Sequence, residues 1–69
     1  MNSRNQTPDI TTIAKGTKVI INDGFTHSEW TVDGLETNRY GNSLRLVNEN
    51  GKNEWIRCFA KHGIGAYLA

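Results

Sequence analysis

Residues Ser43–Ile56 read SLRLVNENGKNEWI, and this stretch decides the fold. Two apolar, β-prone runs flank Glu49-Asn50-Gly51, a strong short-range signal for a β-hairpin. The hairpin Leu44–Ile56 sets two faces, and its register decides which of them takes Trp55. With a two-residue loop, Asn50-Gly51, Leu46 pairs with Trp55. Leu44, Leu46 and Trp55 then form the inner face. With a three-residue loop in which Gly51 is the left-handed residue, Asn48 pairs with Lys52. Leu44 then opposes Ile56, and Arg45 opposes Trp55. A slip of one residue moves every side chain to the opposite face. The second register gathers Arg45, Trp55 and Arg57 on the outside. Glu49-Asn50-Gly51 suits it, because such a sequence forms a type I turn followed by a glycine bulge. Trp55 is therefore read two ways, as core and as surface.

Upstream, Lys15-Gly16 reads as a turn and Thr17–Ile21, TKVII, as a strand that Asn22-Asp23-Gly24 ends. A polar loop runs through Ser28. Glu29–Val32 alternates, with Trp30 and Val32 on one face, as in a half-buried strand. Asp33-Gly34 predicts a kink or bulge before Leu35. Asn38–Asn42 reads as a second loop carrying Arg39 and Tyr40. Downstream, Asn53 suits the cap of a helix ending at Gly63, with Trp55, Ile56, Phe59 and Ala60 on one face. The competing reading is a strand at Asn53–Cys58, a helical turn at Phe59–His62 and a last strand at Ile64–Leu68. The hairpin requires a strand after Gly51, so the second reading is preferred.

At the other end, Thr7-Pro8-Asp9 could cap a short helix, but the β-branched run Ile10-Thr11-Thr12-Ile13 favours extended chain. Asp9–Ala14 is expected to be a strand or a turn. Residues 1–8 read as a disordered polar tail, and residues 9–69 as one small β domain.

Sixty-nine residues hold one small core and no second lobe to close over a deep cleft. Eight basic and seven acidic side chains nearly cancel. That balance excludes the strong cationic field of a DNA-packaging protein and the acidic surface of a nucleic-acid mimic. A single cysteine, Cys58, excludes an intrachain disulfide and an all-cysteine metal site. MNSRNQTPD has no signal-peptide core, and no apolar run is long enough to span a bilayer. The expectation is a cytoplasmic protein with no membrane partner.

Four or five short strands joined by tight turns predict a closed or nearly closed small barrel. The succession Lys15-Gly16-Thr17-Lys18-Val19, Trp30-Thr31-Val32, Leu44–Val47 and Trp55-Ile56 resembles the strand order of bacterial Src-homology-3-like barrels. The likeness runs from about Ile13 to Leu68. It implies an all-β, single-domain Src-homology-3-like barrel of four to five short antiparallel strands, with a short helical turn near the C-terminus and a general role in binding. The chain is poorer in aromatics than the cell-wall-targeting members. It lacks the proline-binding tyrosine cluster of the eukaryotic signalling members. The resemblance transfers no ligand.

An outward Arg45–Trp55–Arg57 strip, bordered by Arg39 and Tyr40, fits two kinds of partner. Trp, Tyr and Arg dominate protein-interface hot spots. Guanidinium groups beside an aromatic face also contact phosphates while a base stacks. The expected function is a non-enzymatic module that binds another protein, as an adaptor or an inhibitor, through Arg39, Tyr40, Arg45, Trp55 and Arg57. Nucleic-acid binding by the same face is the alternative, and self-association through an edge strand or the aromatic patch is a further expectation.

No catalytic residue, metal or cofactor is expected. Cys58 and His62 stand four apart, with His27 as a third ligand at most, and the signature spacings of a zinc site are missing. Cys58 is read as a small buried cysteine and His62 as a surface histidine. Asp33 and Glu36 are a carboxylate pair near a bulge, but acid–base work needs a desolvated cleft. Gly63-Ile64-Gly65 is followed by no Gly-Lys-Ser/Thr element, so it reads as a tight turn rather than a phosphate loop.

Overall fold

The structure, a computed structural model, describes residues 8–69. The expected disordered tail therefore lies outside the described residues, apart from Pro8. Five strands follow one another: β1 Lys18–Asn22, β2 His27–Asn38, β3 Gly41–Val47, β4 Asn53–Ile56 and β5 Gly65–Leu68. They form one antiparallel sheet in the order β4-β3-β2-β1-β5. The all-β expectation holds. Closure does not: β4 and β5 are the two edges and do not pair with each other, so the sheet stays open.

Asn side chains build both hairpin turns of the β2–β3–β4 meander. Asn48 Oδ1 accepts the N–H groups of Asn50 and Lys52, each at 2.9 Å. Asn48 N–H donates to the Lys52 carbonyl and Gly51 N–H to the Asn48 carbonyl. Gly51 takes φ +82°, a left-handed conformation that a Cβ disfavours. This is the three-residue loop, and the register follows from it: Leu44 opposes Ile56, Arg45 opposes Trp55 and Leu46 opposes Glu54. The loop expected at Asn38–Asn42 shrinks to Arg39-Tyr40, because Asn38 pairs with Gly41 and Asn38 Oδ1 accepts the Tyr40 N–H at 2.7 Å. The two turns share the pattern Asn-x-x-Gly, at 38–41 and 48–51.

The predicted irregularity of β2 is a bulge between Val32 and Gly34. It turns Asp33 out of the alternation and lets one long strand serve both β1 and β3. The inner face buries Val19, Val32, Leu44 and Leu46 completely. Ala66, Phe59 and Ile10 close the core, with Ile13, Ile21, Trp30 and Ile56 packed against it.

The expectation of a helical turn near the C-terminus is corrected. Phe59–His62 contains bends and no helical turn. Ala60 N–H donates across the chain to the Ala66 carbonyl at 2.9 Å, and Gly63 at φ +78° turns the backbone away from a helix. A single 3-10 turn lies instead at Ile10–Thr12, within the segment expected to be strand or turn. Asp9 caps it by accepting the Thr11 N–H at 3.0 Å, and Thr12 Oγ1 donates to the Asp9 carbonyl. The cap satisfies backbone groups that a strand would have left without a neighbour, and it drops Ile10 into the core. The crossing segment Phe59-Ala60 also lies against β5. A Cβ on Gly65 would stand 2.5 Å from the Ala60 Cβ.

Candidate functional site

The outer face of β2, β3 and β4 gathers the residues that sequence reasoning singled out. From the Asn48–Lys52 pair, hydrogen-bonded and non-hydrogen-bonded pairs alternate along the hairpin. Arg45 and Trp55 fall at a non-hydrogen-bonded pair, where facing side chains come closest. The Arg45 guanidinium lies over the Trp55 ring, 6.0 Å from its centroid. Trp55 remains 46% exposed.

Arg45 is held from the other side by the β2 bulge. Its Nη2 meets Asp33 Oδ2 at 2.5 Å and its Nη1 lies 3.8 Å from Glu36 Oε2. Arg45 Nε is buried without a hydrogen-bond partner, so the guanidinium is committed to its two carboxylates and the indole. The bulge, β3 and β4 thus bring an exposed tryptophan, its neighbouring guanidinium and two carboxylates together. The carboxylate pair read at first as a remote acid–base candidate is instead the anchor of Arg45.

Trp55 and Arg57 line an open groove of about 350 Å³ with Glu36, Asn38 and Ser43. Arg57 Nη1 donates to the Tyr40 carbonyl at 3.5 Å, which ties β4 to the β2–β3 turn. The Arg39 guanidinium lies 5.4 Å from the centroid of the Tyr40 ring, and Tyr40 is well exposed. Arg57 meets the Arg39-Tyr40 turn at the β2–β3 end of the sheet, while Arg45 and Trp55 pair further along β3 and β4. Arg45, Trp55, Arg57 and Tyr40 form a connected set, and Arg39 joins it through the tyrosine. Sequence reasoning missed Ser43 and Asn38. Their signal was the alternation of β3 and β2, which puts Ser43 on the face of Arg45 and Asn38 on that of Glu36.

Cys58 is exposed, which corrects the expectation of a buried cysteine. Its strand ends at Ile56, and the bend at Arg57-Cys58 turns the thiol out of the inner face. The described residues hold no group of three His, Cys, Asp or Glu side chains placed to share a metal ion, so His27, Cys58 and His62 are not brought together. The carboxylates displaced from their ordinary range are Asp9 and Asp23. Both are lowered by hydrogen bonds, Asp23 first by the Thr26 N–H and then by the Phe25 N–H. Neither borders the groove. Among the described residues, no helix is long and apolar enough to cross a membrane.

Comparison with protein-family models found no match, and neither the curated proteins nor the solved structures gave one. The reading of the site rests on its own chemistry.

Proposed function

We propose that this chain is a non-enzymatic module that binds another protein through the outer face formed by Trp55, Arg57, Tyr40 and Arg39, with Arg45 positioning Trp55. One observation carries the reading: an exposed tryptophan lies beside a guanidinium that is itself paired with Asp33 and Glu36. Rigid aromatic and arginine anchors bind with little ordering cost, which is why they dominate interface energetics. We propose further that the strand order, in an open sheet, is that of the Src-homology-3-like modules. That reading is supported by the return of the last strand beside the first and by the long bulged second strand.

A protein partner is favoured over nucleic acid by electrostatics. Arg45 is already paired with Asp33 and Glu36, and Glu36 lines the groove where a phosphate would lie. The net charge of +1 adds little attraction. The test compares the wild type and Trp55→Ala as immobilised baits, followed by calorimetric titration of each purified protein retained. A partner whose affinity falls about tenfold or more with Trp55→Ala supports the site. Equal affinity for both baits refutes it. Amide shifts at Arg57 and Arg39 with mixed-sequence oligonucleotides, reversed by salt, would replace it with the nucleic-acid reading.

A further inference from the structure

The outer edge of β4 runs alongside the groove, and its backbone is unclaimed. The alternation that starts at Asn48–Lys52 makes Leu46–Glu54 and Leu44–Ile56 the hydrogen-bonded pairs. Glu54 and Ile56 therefore direct their N–H and C=O groups toward β3. Asn53 and Trp55 direct theirs outward, away from the sheet. None of these outward groups has a backbone or side-chain partner among the described residues. The other edge differs, since the Ala66 carbonyl of β5 is occupied by the Ala60 N–H.

We propose that β4 accepts an extended peptide segment of the partner as a sixth strand, with acidic and aromatic side chains at alternate positions. The inference rests on the reading of the Trp55 face as a protein-binding site and names how that face is used. Strand addition supplies affinity through main-chain hydrogen bonds, and pockets for alternate side chains supply selectivity. Here the side chains that point to the outer face lie beside Trp55 and Arg57, on the side of β4 away from Glu36. Arg57 has no carboxylate within ion-pair distance among the described residues, so an acidic side chain of the peptide completes it. An aromatic side chain two positions away meets the exposed Trp55 ring.

A second copy of β4 fits this edge poorly. The antiparallel registers that overlap two copies most fully set Glu54 against Ile56 or against the other copy's Glu54. The first sets a carboxylate beside an apolar side chain while facing the two Trp55 side chains, and the second opposes like charges. Neither register gives Arg57 a carboxylate.

The test selects phage-displayed random linear peptides on the wild-type protein and titrates the enriched sequences by calorimetry and amide-resolved NMR. Peptides with an acidic residue alternating with an aromatic one are expected. They should protect the Asn53 and Trp55 amides from exchange. Asn53→Pro removes an outward N–H at the first residue of an edge strand, a position proline tolerates. It should weaken binding about tenfold or more. Backbone N-methylation of the peptide at alternate residues should do the same and leaves the protein untouched. Peptides that need Trp55 but ignore both Asn53→Pro and N-methylation overturn strand addition and leave the proposed site standing. Peptides indifferent to Trp55→Ala as well, or no enrichment, overturn both. The same amide protection appearing with protein concentration alone, together with a dimer in sedimentation, overturns the peptide as occupant.

Discussion

Replacing Gly65 with alanine tests the contact that holds β5 against the chain crossing it. The added Cβ would stand 2.5 Å from the Ala60 Cβ, so the two methyl groups must part by about 0.9 Å to reach the 3.4 Å of ordinary contact. Overpacking of this kind costs about 1–3 kcal/mol. The shift also stretches the 2.9 Å hydrogen bond from Ala60 N–H to the Ala66 carbonyl, worth about 0.5–1.5 kcal/mol. Gly65 has φ +147°, and a side chain there adds about 1–3 kcal/mol of backbone strain. Stiffening of the unfolded chain returns about 0.4–1 kcal/mol. A net loss of roughly 2–7 kcal/mol compares with a total stability of about 3–10 kcal/mol for a domain of this size.

Urea unfolding followed by circular dichroism measures that loss. The double-mutant cycle with Ala60→Gly separates its parts, because the backbone strain remains in both Gly65→Ala variants while the clash disappears from one. The expected coupling is about 1–4 kcal/mol. Gly16→Ala is the reference: Gly16 has φ +95° but no atom within 4 Å of the added Cβ, so it registers strain without a clash. A coupling below about 0.5 kcal/mol, at the limit of additivity, would refute the close approach of Ala60 and Gly65.

Leu46→Ala should cost about 3–5 kcal/mol in the same assay, since the side chain is fully buried beneath β4. A loss under 1 kcal/mol would contradict its inward direction. Asn48→Ala removes the acceptor of two turn N–H groups and should cost about 1–2 kcal/mol without altering the fold seen by NMR. Arg45→Met should change stability by less than about 1 kcal/mol, as the ion pairs are half exposed, yet it should mobilise Trp55. Fluorescence anisotropy decay in a Trp30→Phe background reads that mobility, and an unchanged decay counts against the clamp. Asp23 is held below the ordinary carboxylate range, so its folded pKa is the lower one. The stability it contributes is fully present above about pH 4, the unfolded value, and is lost as pH falls through the folded value. Asp23→Ala should flatten the acid limb of the melting temperature against pH, and an unchanged limb would remove Asp23 as a contributor.

The parts of the fold legible in the sequence were the parts decided locally. Glu49-Asn50-Gly51 marked the hairpin and favoured the three-residue loop without excluding the two-residue one, and the loop observed sets the register that turns Trp55 outward. Asp33-Gly34 marked the bulge in the same way. Sheet closure depends on how β4 and β5 meet, a non-local matter that no short pattern encodes. The helical turn expected at Phe59–His62 lost to a hydrogen bond from Ala60 to Ala66, six residues on, whose closure depends on β5 docking against β1. Thr7-Pro8-Asp9 reads as a cap with Pro8 at the first helical position, whereas the turn starts one step later, capped by Asp9, because the burial of Ile10 outweighs the β preference of the residues that follow. At the site, residue types were legible and their wiring was not. Arg45 meets Asp33 and Glu36 only because the bulge and the β2–β3 register bring them together.

The unequal edges of the sheet bear on polymerisation. A fibre of stacked sheets needs an open rim at each end of every subunit, so that each added strand leaves a fresh template. Here the crossing chain occupies part of the β5 rim, while the β4 rim is open. Growth that starts at β4 reaches a partly blocked end after a single addition. The chain can keep an exposed strand edge for recognition without that edge seeding a filament.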